Sequence, residues 1–547
     1  MRRLDAFRLF AAFGVVLLVA SLGLEHALRV DRHGSVKRTI VSAWVGGQRR
    51  ARTVVTRDPD AALSREVRGT RATRTAEDVL DEGPVLSTNR IIFGASFVPL
   101  RDGVEARYDG RVAIATVDDL LAWKAYDHAL VLGPIRLQLG VDADVVLEAL
   151  AKELGVTRAE LEAHGRFRRL ALRHRIPIEP APKVNIETLR TAALSAGRYL
   201  ARAVRPDGMY RYEVNAIDNE ETDDYNWPRH SGATWFLAES ANYSREPFML
   251  DAAARAGRRL AQGSLADCGE HRCIAVGERA DLGSSALGLL AVVELVQGGI
   301  LPELMPTVRD LAEFLRSQQR PDGEFKHFYD RVKNEPVDQQ VLYYTGEAAF
   351  ALARAERLTH DRRDLDAASR ALAQLVSYPP WYLGWHYFWG AEHWTCHALG
   401  ALWEKAPNRD ALNFCLQWHE AVRNTAIWGR EASPEYDGAT SGGPFVPPPL
   451  VGTATRMEAA VSTLRVARVA GVPAAEVERL ENGIRAGLAY LMRFQFEPGP
   501  TQVMRAPGML RGGIPTTTTD YRVRIDNPQH AGTGLLGYLK VLEAQAK

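Results

Sequence analysis

The chain has 547 residues, too many for one ordinary core, so it divides into domains or forms one large repeat architecture. Its 46% apolar and 25% charged residues are a globular balance, which sets aside disordered and fibrous classes. Lys and Arg number 68 against 67 Asp and Glu, so no charge excess points to nucleic acid or to a strongly acidic partner.

At the N-terminus, Arg2, Arg3 and Arg8 precede an apolar run from Leu9 to Leu24. Positive charge stays in the cytoplasm, so residues 1–30 read as a signal anchor or a cleaved signal peptide. The bulk of the chain is then expected in the cell envelope, anchored at the inner membrane and facing the periplasm or the exterior. Export gives the four cysteines a meaning. Cys268 and Cys273 flank a short loop and are the expected bridge. Cys396 and Cys415 fall on separate predicted helices, and their state, bridged or buried thiols, stays open.

Residues 31–85 read as a tether with possible strands. Residues 86–180 read as a small α+β domain. "RIIFGASFVPLRDGVEARYDGRVAIATVDDLLAWKAYD" alternates apolar and polar residues around RDG and YDG turns, a strand pattern. "DADVVLEALAKELGVTRAELEAHGRFRRLAL" reads as two helices. The Pro-rich "RIPIEPAPKVNIE" is the linker to a second, larger domain.

From residue 185 to 547 a two-helix unit recurs six times. One helix of each pair is charged with a single apolar stripe, as in "NIETLRTAALSAGRYLARAV" and "RRDLDAASRALAQLVSY". The other is apolar nearly all round and opens on small residues, as in "HSGATWFLAESA", "LGSSALGLLAVVEL" and "HAGTGLLGYLKVLEAQ". Gly232, Gly283, Gly346 and Gly532 take equivalent places near these helix starts, and Cys396 takes that place in the fourth copy. Six outer and six inner helices describe an (α/α)6 toroid, mainly α. The long loops before the inner helices, with "RPDG" at 205–208 and 320–323, are expected to line a funnel at one end.

Chemistry-bearing residues concentrate in those loops. As acid, base or proton-transfer groups we single out His230, His530, Asp526, Tyr343, Tyr344, Tyr521, Asp224 and Glu324. As substrate-binding groups we single out Arg229, Trp227, Tyr225, Trp385, His393, Glu392, Arg456, Arg522 and Arg524. Aromatic faces stack on pyranose rings, and arginines fix hydroxyls and carboxylates. His230 and His530 each stand two residues before the small slot of inner helices one and six, which become neighbours when the ring closes. Asp526 is placed to orient His530 and raise its pKa, while Arg229 opposes protonation of His230. That is an acid/base division. Two acids from loops one and three are the alternative, for glycoside cleavage. Zinc needs three or four converging ligands. Cys396, His397 and His530 are the available set, with no C-x-x-C or H-E-x-x-H motif, and no metal or cofactor is expected.

The repeat, with RPDG ahead of a loop and small residues opening each inner helix, resembles the six-hairpin glycosidase-like (α/α)6-toroid superfamily over residues 185–545. In architecture it is most similar to the C-terminal domain of glucuronyl C5-epimerases. That resemblance implies a glycan substrate and a role for mouth tyrosines such as Tyr343, Tyr344 and Tyr521 at the C5 proton of a uronate. "TCH" at 395–397 also resembles the Cys-His pair of LanC-type zinc toroids. The reading is an exported, membrane-anchored protein that binds and modifies a glycan, as uronate epimerase, lyase or glycoside hydrolase. The competing class is a non-catalytic envelope scaffold that presents its groove to other envelope proteins.

Overall fold

The computed structural model describes residues 38–55, 72–127, 140–175, 182–377, 393–427, 436–440, 448–496 and 501–546. The chain divides into two compact units, Met1–Pro177 and Ile178–Lys547. The apolar run 9–24 lies outside the described residues. Among the described residues no helix is long and apolar enough to cross a membrane.

The first unit is built on a six-stranded antiparallel sheet. Its strands are β1 (Arg38–Val45), β2 (Gln48–Val55), β3 (Thr73–Leu86), β4 (Asp102–Tyr108), β5 (Arg111–Ala115) and β6 (Arg166–Arg175). They lie in the order β2-β1-β3-β6-β4-β5. Three of the six come from the stretch read as a tether. There, β1 offers "TIVSAW", buried from Thr39 to Trp44, to both neighbours. Among the described residues four helices accompany the sheet: α1 (Arg90–Ala95), α2 (Val117–Ala122), α3 (Ala143–Leu154) and α4 (Arg158–His164).

Two segments read as strand are helical because each has a cap. The Asn89 side chain accepts from the Ile91 and Ile92 N–H groups at α1, and Thr116 and Asp119 form a capping box at α2. Conversely, "RFRRLAL" continues as strand β6 instead of helix. The chain leaves helical geometry at Gly165, after which Arg166 and Arg168 are exposed while Phe167 and Arg169 are buried, a period of two. Phe167 meets Phe93 edge-on at 5.7 Å in this unit's core.

In the second unit outer and inner helices alternate. The pairs are α5 (Ile186–Ala203) with α6 (Trp227–Ser244), α7 (Pro247–Gly263) with α8 (Leu282–Gln297), and α9 (Met305–Ser317) with α10 (Tyr344–Thr359). Next come α11 (Arg362–Val376) with α12 (Trp394–Leu402), and α13 (Arg409–Asn424) with α14 (Leu450–Val469). The last pair is α15 (Ala474–Phe494), the one-turn α16 (Pro507–Leu510) and α17 (Asp526–Gln545). Each inner helix packs on the next, and α17 packs on α6 to close the ring. The outer helices bury one stripe. The inner ones are covered on all sides, α8 from Leu282 through Leu295 without a break.

Close approach explains the small slot. A Cβ added at Gly532 on α17 would stand 2.1 Å from the Phe236 ring on α6, so a side chain there would push the closing helices apart. The two RPDG copies fold alike. Gly208 and Gly323 have φ of 85° and 95°, and their N–H groups donate to Arg205 and Arg320 carbonyls at 3.0 Å. Short strands organise the loops. β7 (Glu213–Asn215) in loop one pairs with β13 (Arg522–Arg524) in loop six. Loops two and three share a five-stranded sheet of β8 (Leu265–Cys268), β9 (His271–Val276), β10 (Arg279–Asp281), β11 (Phe328–Asp330) and β12 (Glu335–Val337).

Both cysteine pairs are bridged, Cys268 to Cys273 and Cys396 to Cys415. The second resolves the state that the sequence left open. The glycine slot of α12 faces α13 closely enough for Cys396 and Cys415 to come within 5.8 Å at Cα. The bridge also removes Cys396 from any zinc set.

Candidate active site in the toroid lumen

A single buried carboxylate organises the lumen. Glu458 sits on α14, 1% exposed, and its Oε1 faces imidazoles from two other elements. His530, one turn into α17, places Nδ1 at 2.7 Å from it. His393, at the N-cap of α12, places Nε2 at 3.1 Å. His397, one turn further along α12, places Nε2 at 3.8 Å and turns Nδ1 to Ser462 Oγ at 3.0 Å. The His393 and His530 rings lie 5.3 Å apart, edge to face. Trp394, Trp235 and Phe350 wall the group, with Phe350 stacked on His397 at 5.1 Å.

These contacts decide the charge states. Burial penalises an ionised Glu458, but the neighbouring His530 charge, the His530 hydrogen bond and the two further imidazoles that face the carboxylate outweigh that and hold its carboxyl well below the usual range. Burial likewise opposes a charged His530. The Glu458 carboxylate overcomes it, Asp526 adds to the effect, and the His530 pKa is raised. His397 goes the other way, since burial lowers its pKa and Glu458 offsets this only in part. The group therefore favours an imidazolium at His530 beside the Glu458 carboxylate and disfavours one at His397. With Nδ1 committed to Glu458, Nε2 is the His530 nitrogen that points away from the carboxylate.

His393, Glu458 and His530 also form a donor set for a divalent cation, with all three ligand atoms within 4.8 Å of one another. Two ligands of a tetrahedral zinc stand about 3.3 Å apart at ordinary bond lengths. The 2.7 Å separation of His530 Nδ1 and Glu458 Oε1 is a hydrogen-bond distance instead.

The mouth above this group is charged. Asp526, at the start of α17, accepts from Arg524 at 2.7 and 2.8 Å and from Arg229 at 3.0 Å. Arg229 also donates to the Tyr212 hydroxyl at 2.9 Å. Burial favours the neutral form of Asp526, but Arg524 and then Arg229 reverse this and lower its pKa. Arg522 is held by Asp520. Strand alternation turns Tyr521 the opposite way from these arginines, into the core against Phe496 at 5.6 Å.

His230 does not join His530. It is fully buried, with Nδ1 at 2.6 Å from the Tyr225 hydroxyl and Nε2 at 3.0 Å from the Ala256 carbonyl of α7, so it faces the outer helix. Trp227 and Tyr210 pack edge-on against its ring, both at 5.1 Å. Burial lowers its pKa to about 4, and Arg259, not Arg229, is the cation that adds to this. The partner of His530 is His393. Asp224 is exposed. Glu324 is buried in a network with Thr345, the Phe325 N–H and His327, which fastens loop three to α10. Asp224 and Glu324 thus sit in different settings, one on the surface and one in the wall. Tyr343 is 37% exposed at the start of α10, and Tyr344 packs on His327 and Phe328. Burial raises both phenols, so they are neutral at ordinary pH. Arg456 is buried on α14, its pKa lowered to about 10 by desolvation, and its Nε and Nη1 have no hydrogen-bond partner among the described residues. Trp385 and Glu392 lie outside the described residues.

Sequence reasoning passed over Glu458. Its signal was present in "RMEAAVSTL": a lone carboxylate on a helix that should be apolar on every side.

No protein-family model matches the sequence, and no curated protein matches it. Solved structures do. A sugar epimerase from a ruminal bacterium is 12% identical, aligned over 65% of this chain and 98% of its own, with a TM-score of 0.50. A D-mannose isomerase aligns over 65% and 97% at 12% identity with a TM-score of 0.49. An unsaturated glucuronyl hydrolase specific for heparin aligns over 66% and 99% at 10% identity with a TM-score of 0.46. The likeness is one of fold alone, an (α/α)6 toroid.

Proposed function

We propose that the second unit is a carbohydrate-modifying enzyme that moves a proton at a carbon beside a carbonyl of a sugar or sugar acid, as an epimerase or isomerase does. The observation that carries this is the buried Glu458 carboxylate shared by His530 and His393. One imidazole is poised as acid while another ring stands 5.3 Å away on a different helix. Two such groups can take a proton from one position and return it at another. Glycoside cleavage calls instead for two acids facing one bond, and neither Asp224 nor Glu324 supplies one. The Arg229–Asp526–Arg524 cluster at the mouth suits hydroxyl or carboxylate recognition. The fold shared with a sugar epimerase favours a sugar over other carbonyl compounds.

The reading extends to place. Arg2, Arg3 and Arg8 before residues 9–24 favour an exported, inner-membrane-anchored chain, and two disulfides favour an oxidising compartment. A reporter active only in the cytoplasm, fused after Lys547, is expected to stay silent; a bright fusion contradicts export. The chemistry is tested by offering neutral and acidic sugars and weighing the products. The proposal expects unchanged mass with altered configuration or carbonyl position. A gain of water, or an unsaturated end, assigns hydrolysis or elimination instead. Binding with no product at all supports the scaffold reading.

A further inference from the structure

The inner helices carry a second concentration of charge at their C-terminal ends, away from the loops. Arg354 and Arg357 come from α10, Arg465 from α14 and Lys540 from α17. Carboxylates answer only part of it. Arg354 is paired with Glu294 at 2.7 Å, and Lys540 with Glu239 at 2.8 Å. Arg357 donates to the Ala401 carbonyl and reaches only the rim carboxylate of Glu404, at 3.6 Å. Arg465 lines the same cavity as Glu239 and helps hold its carboxyl below the ordinary value, with no salt bridge of its own among the described residues. Burial first, with the repulsion of Arg354 and Arg465 added, depresses the Arg357 pKa against the pull of Glu404 and Glu356.

Cations at helix C-termini complement the helix dipole, and that is the plain alternative. It asks for one cation per helix end. It does not account for two arginines three residues apart on α10 converging with a third from α14, since like charges at that spacing oppose one another. Arg354, Arg357 and Arg465 line one cavity of about 90 Å³, which runs up the lumen to His397 and Glu458. Arg465 stands two turns below Glu458 on α14, about 10 Å along the axis. Trp235 also lines this cavity. It is 2% exposed, and its indole N–H has no hydrogen-bond partner among the described residues. A buried donor left unmatched beside converging guanidinium groups is the environment an oxyanion fills.

We propose that the arginine end of this cavity is a binding site for a small oxyanion, a phosphate or a carboxylate, held by Arg357 and Arg465 below the histidine group. The site does not depend on the proton-transfer reading, because none of its cationic ligands belongs to that group.

Calorimetric titration of the full chain at low ionic strength tests the proposal, with inorganic phosphate and glucuronate as separate probes and glucose as the neutral control. Saturable binding of phosphate or glucuronate is expected, weakened about tenfold or more in Arg465→Ala and in Arg357→Ala, the loss of one charge-assisted contact. Arg363→Ala, which removes an exposed cation of α11 paired to Asp361, should leave it unchanged. Phosphate alone identifies a free oxyanion as the ligand, and glucuronate alone a sugar-borne carboxylate. No saturable heat with either probe overturns the proposal. So does binding that persists unchanged in the Arg357→Ala/Arg465→Ala double variant. Both arginines are solvent-exposed, so the variants should fold, and thermal melts of each protein confirm it.

Discussion

Replacing Glu458 by Gln removes the charge that sets both partners while keeping the shape. His530 has a raised pKa in the folded chain, so its pairing contributes stability in full below the ordinary histidine value near 6.5 and loses it as pH rises through the raised value. Glu458 has a lowered pKa, so its contribution is present above its ordinary value near 4.5 and lost as pH falls through the depressed one. The two overlap fully between about pH 4.5 and 6.5, where the pair holds one imidazolium and one carboxylate. His393 and His397 face the same oxygen, and burial lowers the His397 pKa. A hydrogen bond between charged groups contributes about 1.5–3 kcal/mol. Glu458→Gln is therefore expected to lower stability by about that amount near pH 6, and the gap should narrow toward pH 9 as His530 of the parent chain loses its proton. Urea melts at both pH values and an NMR titration of the imidazoles measure this. A gap of equal size at pH 6 and pH 9, or a His530 titration midpoint that does not move in the variant, would refute the ion-pair assignment.

His230→Ala should cost about 1–3 kcal/mol of stability, because the Tyr225 hydroxyl and the Ala256 carbonyl lose a buried partner, while the folded fraction keeps its activity; thermal melts with activity normalised to folded protein separate the two effects. Gly532→Ala should cost about 1–3 kcal/mol by overpacking against Phe236, and a neutral result in melts would contradict the close approach of α17 to α6. Alkylation of the denatured, unreduced chain should label none of the four cysteines. Opening the 19-residue Cys396–Cys415 loop by Cys415→Ala should cost about 3 kcal/mol, more than the roughly 2 kcal/mol expected for the five-residue Cys268–Cys273 loop.

The toroid was legible because its signal repeats. Six copies of an amphipathic helix beside an apolar one leave few other ways to bury both faces, and Gly532 against Phe236 shows why the small slot recurs. The first unit was less legible, because its elements are short and a single cap decides them. Asn89 turns "RIIFGA" into helix against its alternating neighbours. The site was half legible. His530, His393 and Asp526 stand out as polar residues at inner-helix starts, and the structure brings them to one end of the lumen. His230 shares that sequence position but not its direction, since the rotation of α6 turns its ring to α7, and rotation of a helix covered on all sides leaves no amphipathic trace. Glu458 was hidden for the same reason: an inner helix has no polar face on which a functional carboxylate would be expected.

The most direct test of the central claim is solvent proton exchange at a sugar carbon. In heavy water the protein should place deuterium at the carbon beside the carbonyl of a reactive aldose, ketose or uronate, read by NMR and mass spectrometry. His530→Ala and Glu458→Gln should lower that incorporation about 100-fold or more while the chain stays folded. Incorporation at the parent rate in both variants, or sugars turned over with no deuterium at carbon in the parent protein, would contradict the assignment of the lumen as a proton-transfer site.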